Sequence, residues 1–323
     1  MGTKMLDIAE LALKKFAGVK AGESILILAE TETSEGMKRA FLTAARATAG
    51  DDVSLAIYDK RAAYTHPPKP LPSAVKAADV VVTLDIYLSH TELEKEARAA
   101  GTRFLNLHPA SYGALVRAFI GVDYDAMRKR GEKLAGVLGS ATQCHITSAL
   151  GTDLELRFDS AKEVYLGHGM ARGKGDYETI PNGKVKVPTI VDSINGVFVV
   201  NGVIIPPVNE LKETVKLTFE KGWVVAIEGG PEAEEYSRFL ESFEDQTMYC
   251  FDHFTLGFNP KASLAQPPPP AFSSEAEKVM GCVNIGLGRA GLKGKQHTDV
   301  VAVGTAVEVD GKVLIENGKY TIF

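Results

Sequence analysis

The first third of this chain alternates short apolar strands with single helices, an order that leaves few folds open. Residues 24–30 (SILILAE), 52–58 (DVSLAIY), 78–85 (ADVVVTLD) and 102–107 (TRFLNL) each read as a strand. Thr33 or Ser34 can cap a helix through 37–48, and residues 91–100 form a charged helix. Strands separated by single helices pair in parallel through right-handed crossovers, so this part is expected to be a Rossmann-like layer. No Gly-x-Gly-x-x-Gly follows the first strand. Ala29-Glu30-Thr31-Glu32-Thr33 occupies that turn instead, and its two glutamates would repel a pyrophosphate, which argues against a dinucleotide ligand.

A strong helical pattern over 123–138 closes this part, and from residue 146 strands and turns dominate. Residues 153–158 alternate polar and apolar, Asn201 separates two apolar runs, and Asp310-Gly311 joins 307–309 to 312–315 as a hairpin. Helices are expected at 233–241 and 273–280, and the run Pro267 to Pro270 reads as a stiff surface linker. The fold class is therefore α/β: a Rossmann-like parallel-sheet domain over 1–145 and a β-rich α+β domain over 146–323.

Charge and composition narrow the partners. With 36 basic and 41 acidic residues and no cationic stripe interleaved with aromatics, nucleic acid is not an expected partner, and a small molecule is. The first sixteen residues form an amphipathic helix and not a signal peptide, and no uncharged run is long enough to cross a bilayer. Three widely spread cysteines, Cys144, Cys250 and Cys282, suit a reducing cytoplasm.

The chemistry is expected among the seven histidines. His297 and Asp299 are two residues apart at the mouth of a Val-rich strand, so both side chains would project to one face and could share a metal ion. An acidic residue near a histidine is commonplace in a chain this acidic, and the pair gains weight only from a further ligand. His253, in the apolar strand Phe251-Asp252-His253-Phe254-Thr255, supplies one, although a core histidine bonded to backbone is an equal reading. Two imidazoles and one carboxylate make up the facial triad that binds Fe(II) with open positions. His90 follows the carboxyl end of a predicted parallel strand, where α/β sheets bind ligands, and is the candidate catalytic base. Lys184, with Lys186 and Arg172, could present a cation to a substrate carboxylate, and Tyr177 and Tyr87 could stack on a flat ring. His66, His108, His145 and His168 read as structural or uncommitted.

The order of short motifs then matters. Gly151-Thr152-Asp153-Leu154, Pro181-Asn182-Gly183-Lys184-Val185, Asn195-Gly196, the run from Asp252 to Pro260, Gly281-Cys282-Val283-Asn284-Ile285-Gly286 and His297-Thr298-Asp299 together resemble the aminopeptidase T-like metallopeptidases. They are still more similar to the related Fe(II)-dependent 2,5-dihydroxypyridine 5,6-dioxygenases. In the peptidases, glutamates match His253 and roughly Lys184, and a histidine matches Asn284. An ammonium at Lys184 repels a second metal, so a two-metal hydrolase is disfavoured. In the dioxygenases, histidines match His253 and His90, and the His-x-Asp pair matches His297 and Asp299. A serine of the iron shell falls near Gly286, which has no side chain to offer, leaving Asn284 or water for that position.

The resemblance implies an Fe(II) dioxygenase that opens the ring of a small hydroxylated pyridine or aromatic acid, assembled as a dimer or larger homo-oligomer. Two alternatives stand beside it. One is a hydrolase holding Zn(II) or another divalent metal on the same residues; the other is a non-catalytic ligand-binding protein.

Overall fold

A computed structural model describes residues 2–59, 68–84, 88, 91–107, 112–267, 273–288 and 296–323, and the statements below concern those residues. The chain divides into two units, Met1–Val122 with Gly169–Asn182, and Asp123–His168 with Gly183–Phe323.

The first unit is built on a five-stranded sheet whose described pairings are all parallel. Its order is Val53–Tyr58, Ile25–Glu30, Val80–Thr83, Arg103–Leu107 and Tyr177–Ile180. Ile25, Ile27 and Leu28 are buried, and so are Val80, Val81 and Val82. Runs without polar alternation suit a sheet covered on both faces. The helix Glu35–Ala49 starts where Ser34 accepts a bond from the Met37 N–H at 3.2 Å, and Thr91 caps Glu92–Ala100 in the same way at 3.3 Å.

The second unit pairs two antiparallel sheets. One, of eight strands, runs from Trp223–Gly229 at one edge to Lys319–Tyr320 at the other. The second, of seven strands, has the order Asn209–Glu210, Val203–Ile205, Thr298–Ala302, Val283–Leu287, Phe251–Gly257, Lys184–Val187 and Tyr165–Gly167. Phe158 of the first sheet meets Phe254 of the second with ring centroids 5.7 Å apart, which places core between them.

Two segments depart from the expected division near residue 145. The helix Tyr124–Gly139 belongs to the second unit, where the bare Gly131 lets it lie close to the sheet: a Cβ there would stand 2.6 Å from both Leu166 and Phe258. Tyr177–Ile180 returns to the first unit, because Phe104 and Leu107 offer an open parallel edge in register with Tyr177 and Ile180. Composition registers where strands become frequent; it does not register which edge a later strand extends. The helix expected at 273–280 forms as a shorter 3₁₀ turn, Ser274–Lys278. Among the described residues no helix is long and apolar enough to cross a membrane.

Candidate metal centre

Register in the seven-stranded sheet gathers the candidate ligands. His253 lies opposite Gly286, and Gly286 lies opposite Asp299. In the next row on the same face, Lys186 faces Thr255, Thr255 faces Asn284, and Asn284 faces Val301. Cross-strand partners share a face, so three strands present His253, Asn284 and Asp299 together. Gly286 makes room between them. A Cβ on it would lie 2.4 Å from Cε1 of His253 and 2.7 Å from Cε1 of His297.

The two imidazoles stack with centroids 5.0 Å apart and planes inclined by 23°. Aspartates hold them at opposite edges. Asp299 offers Oδ1 to Nε2 of His253 and Oδ2 to Nε2 of His297, both at 3.3 Å. Asp252 lies 2.9 Å from Nδ1 of His253 and 3.6 Å from Nδ1 of His297. Simple alternation would put Asp252 on the opposite face from His253. A register shift between Phe251 and His253 undoes that alternation.

In the neutral ring the contact with Asp252 favours the proton on Nδ1 of His253, which leaves the Nε2 lone pair facing Asp299. A lone pair and a carboxylate oxygen repel at that distance, and a cation shared between them converts the repulsion into ligation. Two donors bound at about 2.1 Å and at right angles stand roughly 3 Å apart, close to the 3.3 Å found on each side of Asp299. The donor set therefore fits a divalent metal ion. His253, Asp299 and Asn284 are almost wholly buried, which excludes most competing water.

Electrostatics agrees with this arrangement. Burial raises the Asp299 carboxyl, but the neighbouring imidazoles, the charge of His297 foremost, outweigh it and hold the group well below the usual carboxylate range. Burial pushes the His297 imidazole down, and Asp299, then Asp252 and Glu277, push it further up. Asp252 is lowered against the effect of its burial by His253, His297 and Lys186.

Sequence reasoning overlooked two carboxylates. Asp252 stands beside a proposed ligand and was masked by the expected strand alternation. Glu277, buried in the 3₁₀ turn, brings its carboxylate to the same cluster. Two donor groups, Asp252 with His253 and His297, and His253 with Glu277 and Asp299, each have ligand atoms within 4.8 Å of one another. Glu277 is bound to the ammonium groups of both Lys184 and Lys278.

The other anticipated residues fare differently. Lys184 spends its charge inside the protein on Glu277, which removes it as a cation for a substrate. Tyr177 lies in the first unit, where Arg98 sits 5.2 Å over its ring and Asn106 donates to its hydroxyl at 3.1 Å. Arg98 thus occupies one face of that ring. Arg172 also belongs to the first unit and donates to the Lys15 carbonyl. Asn284 donates from Nδ2 to Asp299 at 2.9 Å and lies 3.3 Å from Nε2 of His253, while its Oδ1 is buried without a hydrogen-bond partner. His90, Tyr87, His66 and His108 lie outside the described residues.

Comparison with known proteins bears on this geometry. A family model described as 2,5-dihydroxypyridine 5,6-dioxygenase matches residues 4–322. A curated protein of that name from Pseudomonas putida (strain KT2440) is 29% identical over 191 residues, which is 58% of this chain and 53% of that protein. The match thus spans about half the length of the curated relative. The solved structure of 2,5-dihydroxypyridine dioxygenase from Pseudomonas putida KT2440 superposes with a TM-score of 0.88 at 21% identity, covering 100% of this chain and 98% of that one. Wild-type AmpT from Thermus thermophilus gives 0.69 at 15% identity, with 99% of each chain covered. At these identities the two structures show a shared fold.

Proposed function

The chain belongs to the 2,5-dihydroxypyridine 5,6-dioxygenase family, and from that premise we propose that it is a mononuclear non-haem Fe(II) dioxygenase opening the ring of a small hydroxylated pyridine or aromatic acid. The observation that carries the reading is the approach of two imidazole Nε2 atoms to the two oxygens of one buried carboxylate, each at 3.3 Å. Two imidazoles and a carboxylate on one face leave the remaining positions of an octahedral ion open, as a reaction of two bound partners requires.

His253, His297 and Asp299 would hold the metal. Asn284 is proposed as an additional donor through Oδ1, an orphaned acceptor that a turn of the amide would bring round to the cluster. When bound, Fe(II) supplies open positions for the hydroxylated ring and O₂ and the electrons that begin oxygen activation. The protein's own part is positional. Asp252 fixes the His253 tautomer, the bare Gly286 lets both rings close in, and burial keeps bulk water from the donors. His90 is proposed as the base that takes a ring hydroxyl proton, resting on its place after the carboxyl end of Val80–Thr83 and on an imidazole's titration at roughly 6.5.

A two-metal hydrolase fits less well. The remaining buried carboxylate, Glu277, is already neutralised by two ammonium groups, and a second cation would meet their repulsion. The three free, buried cysteines suit the cytoplasm, and a homo-oligomer of two or more chains goes with this reading. Anaerobic loading with Fe(II), followed by oxygen uptake with hydroxypyridines and dihydroxybenzoates, is the test. Stoichiometric uptake with a ring-opened product is expected. Amine release from peptides without oxygen uptake would overturn the reading in favour of the hydrolase, and failure to take up metal in favour of a binding protein.

A further inference from the structure

The face that carries the candidate ligands is graded from solvent to core. In the row beside His253, Tyr165 and Lys186 are exposed, and their neighbours Thr255, Asn284 and Val301 are fully buried. Lys186 therefore stands where the open end of the sheet meets the buried cluster. The neighbouring strand, about 5 Å away, carries His253, and the strand beyond it, about 10 Å away, carries Asn284. Its neighbours Lys184 and Lys278 are committed to Glu277, whereas Lys186 makes no ion pair among the described residues. Burial pushes its ammonium below the ordinary lysine range, even though solvent reaches it, while Asp252, Asp299 and Glu277 pull it back up.

Charge balance leads to the same residue. The cluster holds three carboxylates, Asp252, Glu277 and Asp299, and three ammonium groups, Lys184, Lys186 and Lys278. Among the described residues, with both imidazoles neutral as metal ligands, these charges cancel, so a divalent metal leaves a surplus of two positive charges. One hydroxylate of the ring offsets one of them. The other remains for a second anionic group, and Lys186 is the ammonium of the three without an ion pair among the described residues.

We propose that Lys186 recognises an anionic substituent, a carboxylate, on the ring that this enzyme takes. The inference rests on the divalent-metal reading above and adds a substrate class to it: a hydroxylated aromatic acid in preference to a ring without a carboxyl group. Lys186 acts through specificity, contacting the substituent and not the metal.

The test uses a matched pair of probes on the full chain loaded with Zn(II), so that binding is read without turnover. 2,5-Dihydroxybenzoate and hydroquinone carry the same hydroxyls, and only the first has a carboxylate. Titration calorimetry on the wild-type protein should show about 10- to 100-fold tighter binding of the carboxylated ring, the worth of one charge-assisted hydrogen bond. In Lys186→Met that preference should vanish through weaker binding of dihydroxybenzoate alone, with metal stoichiometry unchanged, and Lys186→Arg should restore most of it.

Equal wild-type affinity for the two rings, or binding of neither, overturns the assignment without recourse to any variant, as does an equal loss for both rings in Lys186→Met. Oxygen uptake by the Fe(II)-loaded protein separates the two readings. Uptake without a carboxylate preference refutes the role of Lys186 and leaves the dioxygenase; preference without uptake with either ring does the reverse.

Discussion

Replacing Gly286 with alanine should damage the centre through sterics alone. Gly286 is not among the glycines with positive φ, so alanine meets no backbone strain there. The new methyl would lie 2.4 Å from Cε1 and 2.5 Å from Nδ1 of His253, and 2.7 Å from Cε1 of His297. Restoring ordinary contact, at 3.4 Å or more, requires His253 to retreat by about 1 Å and His297 by about 0.7 Å. The strand itself cannot give way cheaply, because it is paired on both sides, to Phe251–Gly257 and to Thr298–Ala302. Overpacking of this kind costs about 1–3 kcal/mol. Metal ligation tolerates only about ±0.2 Å in bond length, so a retreat of that size removes at least one imidazole from the shell. Competition against a chelator should show metal affinity reduced by about 100-fold or more, with a smaller fall in the melting temperature of the metal-free protein. If Gly286→Ala takes up metal with wild-type affinity, the placement of both rings against this strand is wrong.

Three further expectations are testable. Asp252→Asn keeps the size of the side chain but loses the charge that orients His253, and metal affinity should fall about 10- to 100-fold with little change in far-ultraviolet circular dichroism; unchanged affinity would remove Asp252 from the centre. His90→Ala should leave metal content intact and slow turnover by about 100-fold or more, and a wild-type rate would end its role as base. Asp310 accepts bonds from the Gln143 and Thr142 backbone, which, with the Thr142 hydroxyl, hold its carboxyl below the usual range. A folded value below the unfolded one of about 3.9 means that its stabilisation is complete above that pH and is lost as pH falls through the lowered value. The melting-temperature gap between wild type and Asp310→Asn should therefore narrow from about pH 5 to pH 2, and a constant gap would refute the assignment.

Much of the fold was legible because its signals are local. Unbroken runs such as Val80-Val81-Val82 can be satisfied only by a covered strand, and Ser34, Thr91 and Asp123 cap their helices where the pattern places the starts. The pairing of His297 with Asp299 was legible for the same reason, since two residues along extended backbone return to one face, although the strand itself begins at Thr298. Asp252 and Glu277 were not legible. The first depends on a bulge that reverses the expected alternation, and the second lies in a 3₁₀ turn whose approach to His253 is set by how that turn folds over the sheet.

By itself the sequence determined the alternation of elements, the apolar faces and the candidate donors, because these follow from side-chain period and chemistry along a single segment. Only the tertiary structure decided which strand Tyr177–Ile180 would join, that Lys184 would be consumed by Glu277, and that Lys186 would have no ion pair among the described residues. Those outcomes depend on cross-strand register and on competition among charges far apart in the chain. Neither is written in the spacing of neighbouring residues.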